Sequence, residues 1–336
     1  MADAALGALL YCGGMTLELM VANLDLQGRA DRIARLEPDA LRRDVMRAAR
    51  DVDGDDLWHF VEAHLVTRGG RGARVSAHTL HSYRTGLGQF LAWAGPAGVS
   101  LLRPGANAGF RYARHLESAG HSPSTVRVRL AAARALYATL RWAAATDAAP
   151  FSDVRTASDP VPRWEKRKPY PPEDVAALLL QAGMQEAVIV LLGAHCGLRN
   201  AEMTTLLRKD IHLDAPHPHL IVTGKRQKRQ EVPLGITAVR ALRTWLAATP
   251  QLGDFVLAIR TTRGIEKALK RLCENAGVPY VGREVHGLRH SAGTRTYVES
   301  GDILAVRDHL RHRTVESSEI YVNYARAGKK AVNQDW

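Results

Sequence analysis

A short proline-rich stretch near the middle of the chain limits the available folds more than any other feature. Between residues 150 and 172 there are prolines at positions 150, 160, 162, 169, 171 and 172. Proline fixes φ and lacks a backbone donor, so this density prevents a continuous helix and keeps the segment extended. A chain of 336 residues is also long enough to bury two cores. We therefore expect two domains joined by a basic connector over 150–172.

Before the connector, turns containing glycine or proline separate four predicted helices. Their approximate limits are 57–66, 76–93, 106–119 and 123–146. In the second of them, apolar residues recur at intervals of three or four, which is typical of a helix packed against a core. We predict a helical domain over 57–149. Residues 1–56 contain no motif with an evident chemical role, so they are interpreted as an extension of unclear function.

Three arginines on the fourth predicted helix share one face. Arg127, Arg134 and Arg141 follow one another at seven-residue intervals, which keeps them aligned to within about 20° per repeat. No acidic residue balances them between Thr125 and Ala145. Such a stripe suits contacts with phosphates or entry into a major groove. A solvated basic face is the alternative that the pattern leaves open.

After the connector, helices are interrupted by one small sheet. We predict helices near 172–182, 185–196, 236–247, 262–276, 286–299 and within 302–323, with a short helix from Asn200. Apolar residues spaced between Ile211 and Leu234 predict an antiparallel sheet with a hairpin tip at 224–229. The predicted fold class is mainly α with a small antiparallel β-sheet (α+β). The second domain is expected over 173–325 and a tail over 326–336.

The distribution of charge indicates a polyanionic partner. The net charge is +12. Residues 1–56 have 7 basic and 11 acidic side chains, residues 57–150 have 11 and 3, and residues 151–336 have 28 and 20. A basic excess in two successive domains suggests nucleic acid held between them. On charge alone, the alternative is a soluble protein that is basic but has no polyanionic partner.

Cysteine content and hydropathy argue against disulfide-rich, zinc-binding, membrane and secreted proteins. Cys12, Cys196 and Cys273 form no C-x-x-C pair, and their odd number argues against a disulfide framework or a structural zinc site. No apolar run approaches the roughly 20 residues of a membrane-spanning helix. No basic residue precedes the short apolar stretch from Ala4 to Tyr11, which argues against a signal peptide. We predict a cytoplasmic protein without a membrane partner.

Residues suited to phosphate chemistry are concentrated in the last third of the chain. His286 and Arg289 lie three apart, His312 follows, and Tyr321 comes nine residues after it. Arginine binds two phosphate oxygens with a planar cationic fork, and histidine exchanges protons near neutral pH. Tyrosine offers a nucleophilic oxygen.

Two upstream segments complete this set. CGLRNAE supplies Arg199 and Glu202, and TGKRQKR supplies Lys225. Together with HGLRH, LRH and IY downstream, in this order and spacing, they resemble the tyrosine recombinases, also called the phage integrase family, and especially their Xer group. The resemblance runs from about Asp56 to Tyr324. It implies a SAM-like core-binding domain and a catalytic domain that form a C-shaped clamp on duplex DNA.

The resemblance implies a role for each matching residue around the phosphate. Arg199 and Arg289 are expected to hold the phosphate that is cut. His286 and His312 are expected to flank it as proton relay and hydrogen-bond donor. Glu202 is expected to orient Arg199 or a histidine without touching the substrate. His290 is also expected in a supporting position.

The resemblance also implies the acid and the nucleophile. Lys225 would protonate the 5′ oxygen, and Lys228 is its closest rival. Tyr321 would attack the phosphorus and form a 3′-phosphotyrosine. Its spacing from His312 matches the family, whereas that of Tyr324 does not. No cofactor is implied, and no metal is expected, because no third ligand accompanies the i, i+4 pair of histidines on the HGLRH helix.

A further set of basic residues is expected to contact DNA. It consists of Arg127, Arg134, Arg141, Lys166, Arg167, Lys168, Arg226, Lys228, Arg229 and Arg311. Arg311 departs from the family, which commonly has Leu-Gly-His where this chain has Leu310-Arg311-His312. An arginine there is expected to contact DNA or to bend the local helix differently, which leaves the pose of His312 open.

The resemblance implies double-stranded DNA as the partner, bound by a homo- or hetero-tetramer on two paired sites. For an Xer-like protein that resolves chromosome or plasmid dimers, a paralogous recombinase and a DNA translocase are further expected partners. A phage or mobile-element integrase shares the chemistry. The rivals are a strand-passing topoisomerase and a DNA-binding clamp without activity. The presence of all six polar positions argues against the clamp.

Overall fold

The computed structural model describes residues 26–72, 75–223 and 229–327. The chain divides into two compact units, Met1–Pro160 and Val161–Trp336. Helices dominate both units, and a three-stranded antiparallel sheet lies in the second. The predicted fold class, mainly α with a small antiparallel sheet, is therefore confirmed. Among the helices of the described ranges, none is both long and apolar enough to cross a membrane.

The helices of the first unit follow one another along residues 26–72 and 75–160. They are α1 (Leu26–Ala34), α2 (Pro38–Asp51), α3 (Gly54–Thr67), α4 (Ala77–Ala94), α5 (Ala108–Ser118) and α6 (Pro123–Trp142). The Ser122 side chain caps α6 by accepting a hydrogen bond from the backbone of Thr125. Helix α6 ends at Trp142, short of the predicted residue 146, because Ala144 adopts the left-handed region with φ 50°.

The core of the first unit forms where α6 packs against α3 and α4. A Cβ atom at Gly86 would lie 2.6 Å from the Cβ of Ala132, so glycine permits the close approach of α4 and α6. Aromatic rings of Phe90 and Phe151 meet edge to face in this core. Side chains of α2, including Val45, are buried in the same cluster. Residues 26–51, interpreted from sequence as part of an extension, are thus part of this core.

The second unit contains most of the residues predicted to have a chemical role. Its helices and strands are α7 (Arg163–Lys166), α8 (Pro172–Gln181), α9 (Met184–Ala194), α10 (Asn200–Thr204), β1 (Ile211–His212), β2 (His219–Thr223), β3 (Arg229–Pro233), α11 (Ile236–Ala248), α12 (Thr262–Ala276), α13 (Glu284–Ser300), α14 (Ile303–His309) and α15 (Glu319–Ala327). Within the predicted connector, the short helix α7 was not expected from the proline pattern.

Helix α9 is the centre of the second core. Every residue from Val188 to Ala194 is buried, because α8, α11, α12 and α13 pack around it. The sheet has strand order β1-β2-β3, with Leu220 of β2 opposite Ile211 and Val232. This packing leaves the C-terminal end of α9 next to α13, where the predicted catalytic residues lie.

Candidate active site

Helix α13 places three predicted residues on one side. His286, Arg289 and His290 lie three and four apart, so their side chains project from adjacent turns. The rings of His286 and His290 meet edge to face, with centroids 4.6 Å apart. The residues at positions 287–293 are buried, since α13 packs against α9, α14 and α15. These contacts fix the position of the segment of α13 that contains His286, Arg289 and His290.

The turn after α9, which precedes Arg199, is bonded to Arg289 of α13. Gly197 has φ 61°, and a Cβ atom there would lie 2.4 Å from Cδ2 of Leu310, so the turn requires glycine. The two terminal nitrogens of Arg289 donate to the carbonyls of Gly197 and Leu310. Burial, followed by the charge of Arg199, lowers the pKa of Arg289 to about 9, which leaves it cationic at neutral pH.

Glu202 joins the backbone and the side chain of Arg199. Its Oε2 accepts a 2.8 Å hydrogen bond from the backbone nitrogen of Arg199, and its Oε1 accepts a 2.6 Å bond from Nη1. The carboxylate thereby caps α10. Burial alone would raise the pKa of Glu202, but the charges of Arg311 and Arg199 and the hydrogen bonds from Arg199 lower it below its usual value. Glu202 therefore holds Arg199 by two hydrogen bonds, and its role in orienting that arginine for a substrate stays a prediction.

Of the two expectations for Arg311, a DNA contact or a different local bend, the structure favours the bend. The Arg311 side chain is only 3% exposed. Its Nη2 donates to Oε2 of Glu202 and to the Gly197 carbonyl, at 3.0 Å each. Its backbone has φ 56°, a left-handed conformation that costs a non-glycine residue roughly 1–2 kcal/mol. The chain therefore turns the arginine inward just before His312.

The segment after α14 carries His312 toward α15. The Nδ1 atom of His312 lies 2.8 Å from Oγ of Ser318. The His312 ring stacks on that of Tyr321, with centroids 6.0 Å apart and an angle of 20° between planes. A 3₁₀ turn, Val315–Ser317, divides the helical stretch predicted over 302–323 and positions these two rings.

Tyr321 is buried at the start of α15, with only 1% of its surface exposed. Its hydroxyl oxygen lies 3.2 Å from Nδ1 of His290. A Cβ atom at Gly293 would be 2.5 Å from the Tyr321 ring, which therefore packs on bare backbone of α13. Burial raises the pKa of Tyr321 to about 12, although the charges of Arg289 and Arg199 act in the opposite direction.

Tyr324, one turn later on α15, has a different environment. Its hydroxyl donates to the carbonyl of Arg167, next to α7. Its ring meets that of His290 at 5.3 Å between centroids. Burial, and then the neighbouring Tyr321, raises the pKa of Tyr324. Tyr324 thus uses its hydroxyl to tie α15 to the segment before α8.

The three histidines of the site all have lowered pKa values. Burial is the main cause for His290, whose pKa falls to about 3, and for the half-buried His312, whose pKa falls to about 4. The charges of Arg289 and other neighbouring groups act in the same direction. The pKa of His286 is also lowered, by desolvation and then by Arg289, but its exposed ring is screened by solvent.

Three predicted residues, Lys225, Arg226 and Lys228, lie outside the described residues. At the start of β3, Arg229 donates to Asp210 at 3.0 Å. The connector residues Lys166, Arg167 and Lys168 are exposed, as a DNA contact requires. Within the described ranges, no group of three or more His, Cys, Asp or Glu side chains is placed to hold a metal ion.

The arginine stripe on α6 has a structural role that the sequence did not reveal. Nε and Nη2 of Arg134 donate to the carbonyls of Phe151 and Val154, which favours a structural role for this residue over the predicted DNA contact. Arg141 is exposed and donates to the carbonyl of Ala148 at 2.9 Å. Arg127 is exposed at the N-terminal part of α6. Two of the three arginines therefore bind the segment that follows α6.

Comparisons with known proteins agree with this fold and site. Residues 174–327 match the phage integrase family, and residues 71–144 match the phage integrase N-terminal SAM-like domain. The chain is 30% identical over 287 residues to tyrosine recombinase XerC 1 of Ralstonia nicotianae, covering 74% of this chain and 84% of that protein. It is 29% identical over 289 residues to tyrosine recombinase XerC of Pseudomonas aeruginosa, covering 80% and 89%.

Two solved structures share the fold at low sequence identity. The XerH recombinase bound to difH in a pre-cleavage complex has a TM-score of 0.61 and 16% identity, over 88% of this chain and 91% of that one. A lambda integrase dimer bound to a COC′ core site has a TM-score of 0.62 and 14% identity, over 82% and 79%. The fold and sequence together define an enzyme that breaks and rejoins phosphodiester bonds. The chain belongs to the phage integrase family, the tyrosine recombinases.

Proposed function

We propose that this protein is an Xer-like site-specific recombinase that cuts and rejoins duplex DNA through a covalent link to Tyr321. The observation that carries the proposal is the position of Tyr321, whose ring lies against His290 and His312 within the electrostatic influence of Arg289 and Arg199. The XerC relatives support the Xer-like role. In this proposal, a core-binding domain over 57–149, to whose core residues 26–51 also contribute, binds DNA, and a catalytic domain over 173–325 cuts and rejoins it.

The proposed reaction exchanges one phosphate ester for another. The phenolic oxygen of Tyr321 forms a bond to phosphorus and gives up its proton, while the bond from phosphorus to the 5′ oxygen breaks and that oxygen gains a proton. The product is a 3′-phosphotyrosine and a free 5′ hydroxyl. Because one ester replaces another, the 5′ hydroxyl of a partner strand reverses the step without ATP, which constitutes strand exchange.

In this proposal, two arginines stabilise the charge that develops on the phosphate. The Arg199 side chain is 43% exposed and presents its fork to the substrate, while Glu202 holds one terminal nitrogen. Arg289 lies on α13, only 1% exposed and with its fork fixed by two carbonyls, so it reaches the phosphate only if DNA binding also opens the site above it. By analogy with an oxyanion-hole donor, each preorganised arginine contributes about 3–4 kcal/mol to the transition state.

The neutral His290 is placed to take part in removing the proton from the nucleophile. A lowered pKa leaves His290 uncharged at neutral pH, and its Nδ1 lies 3.2 Å from the Tyr321 hydroxyl, so it is placed to accept a hydrogen bond from it. With Nδ1 of His312 bonded to Ser318, its Nε2 is left for a phosphate oxygen. Lys225 is proposed, on the sequence alone, as the acid for the 5′ oxygen.

Attack also requires a change in the position of α15. The Tyr321 side chain is 1% exposed, whereas a nucleophile must approach phosphorus to about 3–3.5 Å. We propose that DNA binding shifts α15 and brings the hydroxyl toward the phosphate held by Arg199. The bond from Tyr324 to the Arg167 carbonyl is one contact that such a shift would alter.

The first unit offers a second surface for DNA. A groove of about 400 Å³ lies between α4 and the N-terminal part of α6, lined by His81, Ser82, Thr85, Ser124, Thr125, Val128 and Arg129. Hydroxyl and imidazole groups of this kind bind phosphates and base edges. With Arg127 nearby on α6, this groove replaces the full arginine stripe as the proposed contact surface. The connector residues at positions 166–168 add positive charge.

We further propose that the chain acts in a synaptic tetramer on two paired sites. Strand exchange joins ends from two duplexes, so at least one protomer must be bound on each. A lambda integrase structure contains a dimer on a core site, which supports protomer pairing in this fold. The tetramer is proposed either as a homotetramer or as a heterotetramer with a paralogous recombinase, with a DNA translocase as a further proposed partner.

Covalent capture tests the proposed function most directly. A binding site is first selected from a pool of randomised duplexes, and a nicked version of it is incubated with the protein without metal. A covalent complex with wild type and Tyr324→Phe, absent with Tyr321→Phe, is expected. Subsequent joining of two differently labelled duplexes would separate recombination from simple relaxation by a topoisomerase.

Two outcomes would contradict the proposal. Specific binding without any covalent complex, including with added paralogue, would favour a non-catalytic clamp. A covalent complex lost with Tyr324→Phe but retained with Tyr321→Phe would assign the nucleophile to the other tyrosine of α15.

A further inference from the structure

Arg311 occupies a buried position at the base of the proposed phosphate site. It lies between the end of α14 and His312, with a side chain 3% exposed and a backbone φ of 56°. Only glycine adopts this conformation without steric cost. A large cationic side chain in a strained, buried position must be held there by specific contacts.

Those contacts all lead to the turn after α9 or to the end of α14. Nη1 of Arg311 donates to the carbonyls of His309 at 3.1 Å and Cys196 at 3.4 Å. Nη2 donates to the Gly197 carbonyl and to Oε2 of Glu202, at 3.0 Å each. The guanidinium therefore fastens the residues before His312 to the turn that precedes Arg199.

Two of these acceptors are shared with the proposed phosphate ligands. The Gly197 carbonyl also accepts a hydrogen bond from Arg289. The Glu202 carboxylate also accepts the backbone nitrogen and Nη1 of Arg199. Arg311 is thus connected to each arginine of the phosphate site through one common acceptor, without occupying the place of the substrate.

The two oxygens of the Glu202 carboxylate accept hydrogen bonds from different donors. Oε2 of Glu202 accepts from Arg311 and the Arg199 backbone, whereas Oε1 accepts from the Arg199 side chain. The charged groups that face Glu202 are Arg199 on its own turn, Arg311 after α14, and Arg289 on α13. Arg311 thereby supplies positive charge that keeps the buried carboxylate ionised.

We propose that Arg311 is a positioning residue for catalysis, which orients Arg199 through Glu202 and Arg289 through the Gly197 carbonyl. It does this from beneath the site, so it contacts neither DNA nor the scissile phosphate. The inference rests on the proposed function, because it assigns Arg199 and Arg289 to the phosphate that is cut.

Three variants of the full chain separate this role from others. Arg311→Gly removes the side chain and relieves the left-handed backbone, Arg311→Lys keeps the charge, and Arg313→Gln removes an exposed charge two residues away. Each is tested on the selected nicked duplex at saturating protein, with the single-turnover rate of covalent capture and the DNA dissociation constant measured separately.

We expect Arg311→Gly to lower the rate at least 10-fold while the dissociation constant stays within about 2-fold. Arg311→Lys should recover part of the rate, and Arg313→Gln should keep the wild-type rate at saturation. In Arg311→Gly the low-pH limb of the rate profile should move upward by about one pH unit, because Glu202 has lost a cation while its burial remains. If the Arg311 side chain only filled space, its removal would leave the low-pH limb of the rate profile unchanged.

The inference is overturned if Arg311→Gly captures DNA at the wild-type rate, or if its main effect is weaker DNA binding. A double-mutant cycle with Glu202→Gln, measured by thermal unfolding, tests the pair independently of cleavage. Coupling between the two residues is expected, and additive effects would contradict the shared-acceptor network. If wild type forms no covalent complex, the proposed function fails, and the cycle still decides whether Arg311 holds Glu202.

Discussion

The hydroxyl oxygen of Tyr321 lies 3.2 Å from Nδ1 of His290, a histidine four residues after His286 on the same helix. The sequence pointed to His290 only as a supporting residue, yet it is the histidine in hydrogen-bond contact with the proposed nucleophile. Its pKa of about 3 means that it enters this contact uncharged. The buried end of the site is therefore organised around a neutral hydrogen bond rather than an ion pair.

Stability should fall as the pH is lowered from 7 to 5. His290 has a pKa of about 3 in the folded chain against an ordinary value of 6.5, so the unfolded chain binds the proton first. The stabilisation that depends on neutral His290 is fully present above pH 6.5 and is lost as the pH falls toward 3. At pH 5 the loss is about 2 kcal/mol, measurable as a lower melting temperature.

The variant His290→Asn removes this titrating group. Its melting temperature should change less between pH 7 and pH 5 than that of wild type. His121→Asn, which alters an exposed histidine of the first unit, should leave the wild-type difference intact. An equal pH response in His290→Asn and wild type would show that His290 is not the source.

Gly293→Ala should displace the nucleophile. The added Cβ atom would lie 2.5 Å from the Tyr321 ring and 2.6 Å from Cδ1 of Leu310, and both of these side chains are buried. Overpacking of this kind costs about 1–3 kcal/mol, and it should reduce covalent capture at least 10-fold. Both are checked by thermal unfolding and by the nicked-duplex assay.

Gly88→Ala is the matched control for this substitution. Gly88 lies on the exposed face of α4, and a Cβ atom there meets nothing within 4 Å. Alanine at this position should leave capture unchanged and stabilise the helix by roughly 0.5–1 kcal/mol. Wild-type capture by Gly293→Ala would mean that the Tyr321 ring is not held against α13 in the reacting state.

The parts of the fold that sequence predicted are those with local causes. Periodic apolar residues and turn residues predicted the helices from α3 onward, except the short α7, and the sheet to within a few residues. The proposed catalytic positions were found because each occurs in a short motif. His290 carried a weaker signal, the i, i+4 pair with His286, and its partner Tyr321 lies 31 positions further on.

The parts that sequence missed depend on distant acceptors. Arg311 bonds to Gly197, which is 114 positions earlier, and only the folded chain brings the two together. Arginine alone gives no sign of the left-handed backbone at position 311, and the only hint was the glycine that the family commonly has there. Arg134 was assigned to DNA by periodicity, but its acceptors lie in the segment after α6.

The first arginine of the α6 stripe and the second should therefore respond oppositely to substitution. Arg134→Ala leaves the carbonyls of Phe151 and Val154 without their cationic donor, which should cost about 1–3 kcal/mol and lower the melting temperature. Arg127→Ala should leave the melting temperature unchanged but weaken DNA binding. Its slope of log affinity against log salt should fall by roughly 1 if one phosphate contact is lost. An unchanged slope for Arg127→Ala would exclude the phosphate contact, and weaker DNA binding by a fully stable Arg134→Ala would restore the original interpretation of the stripe.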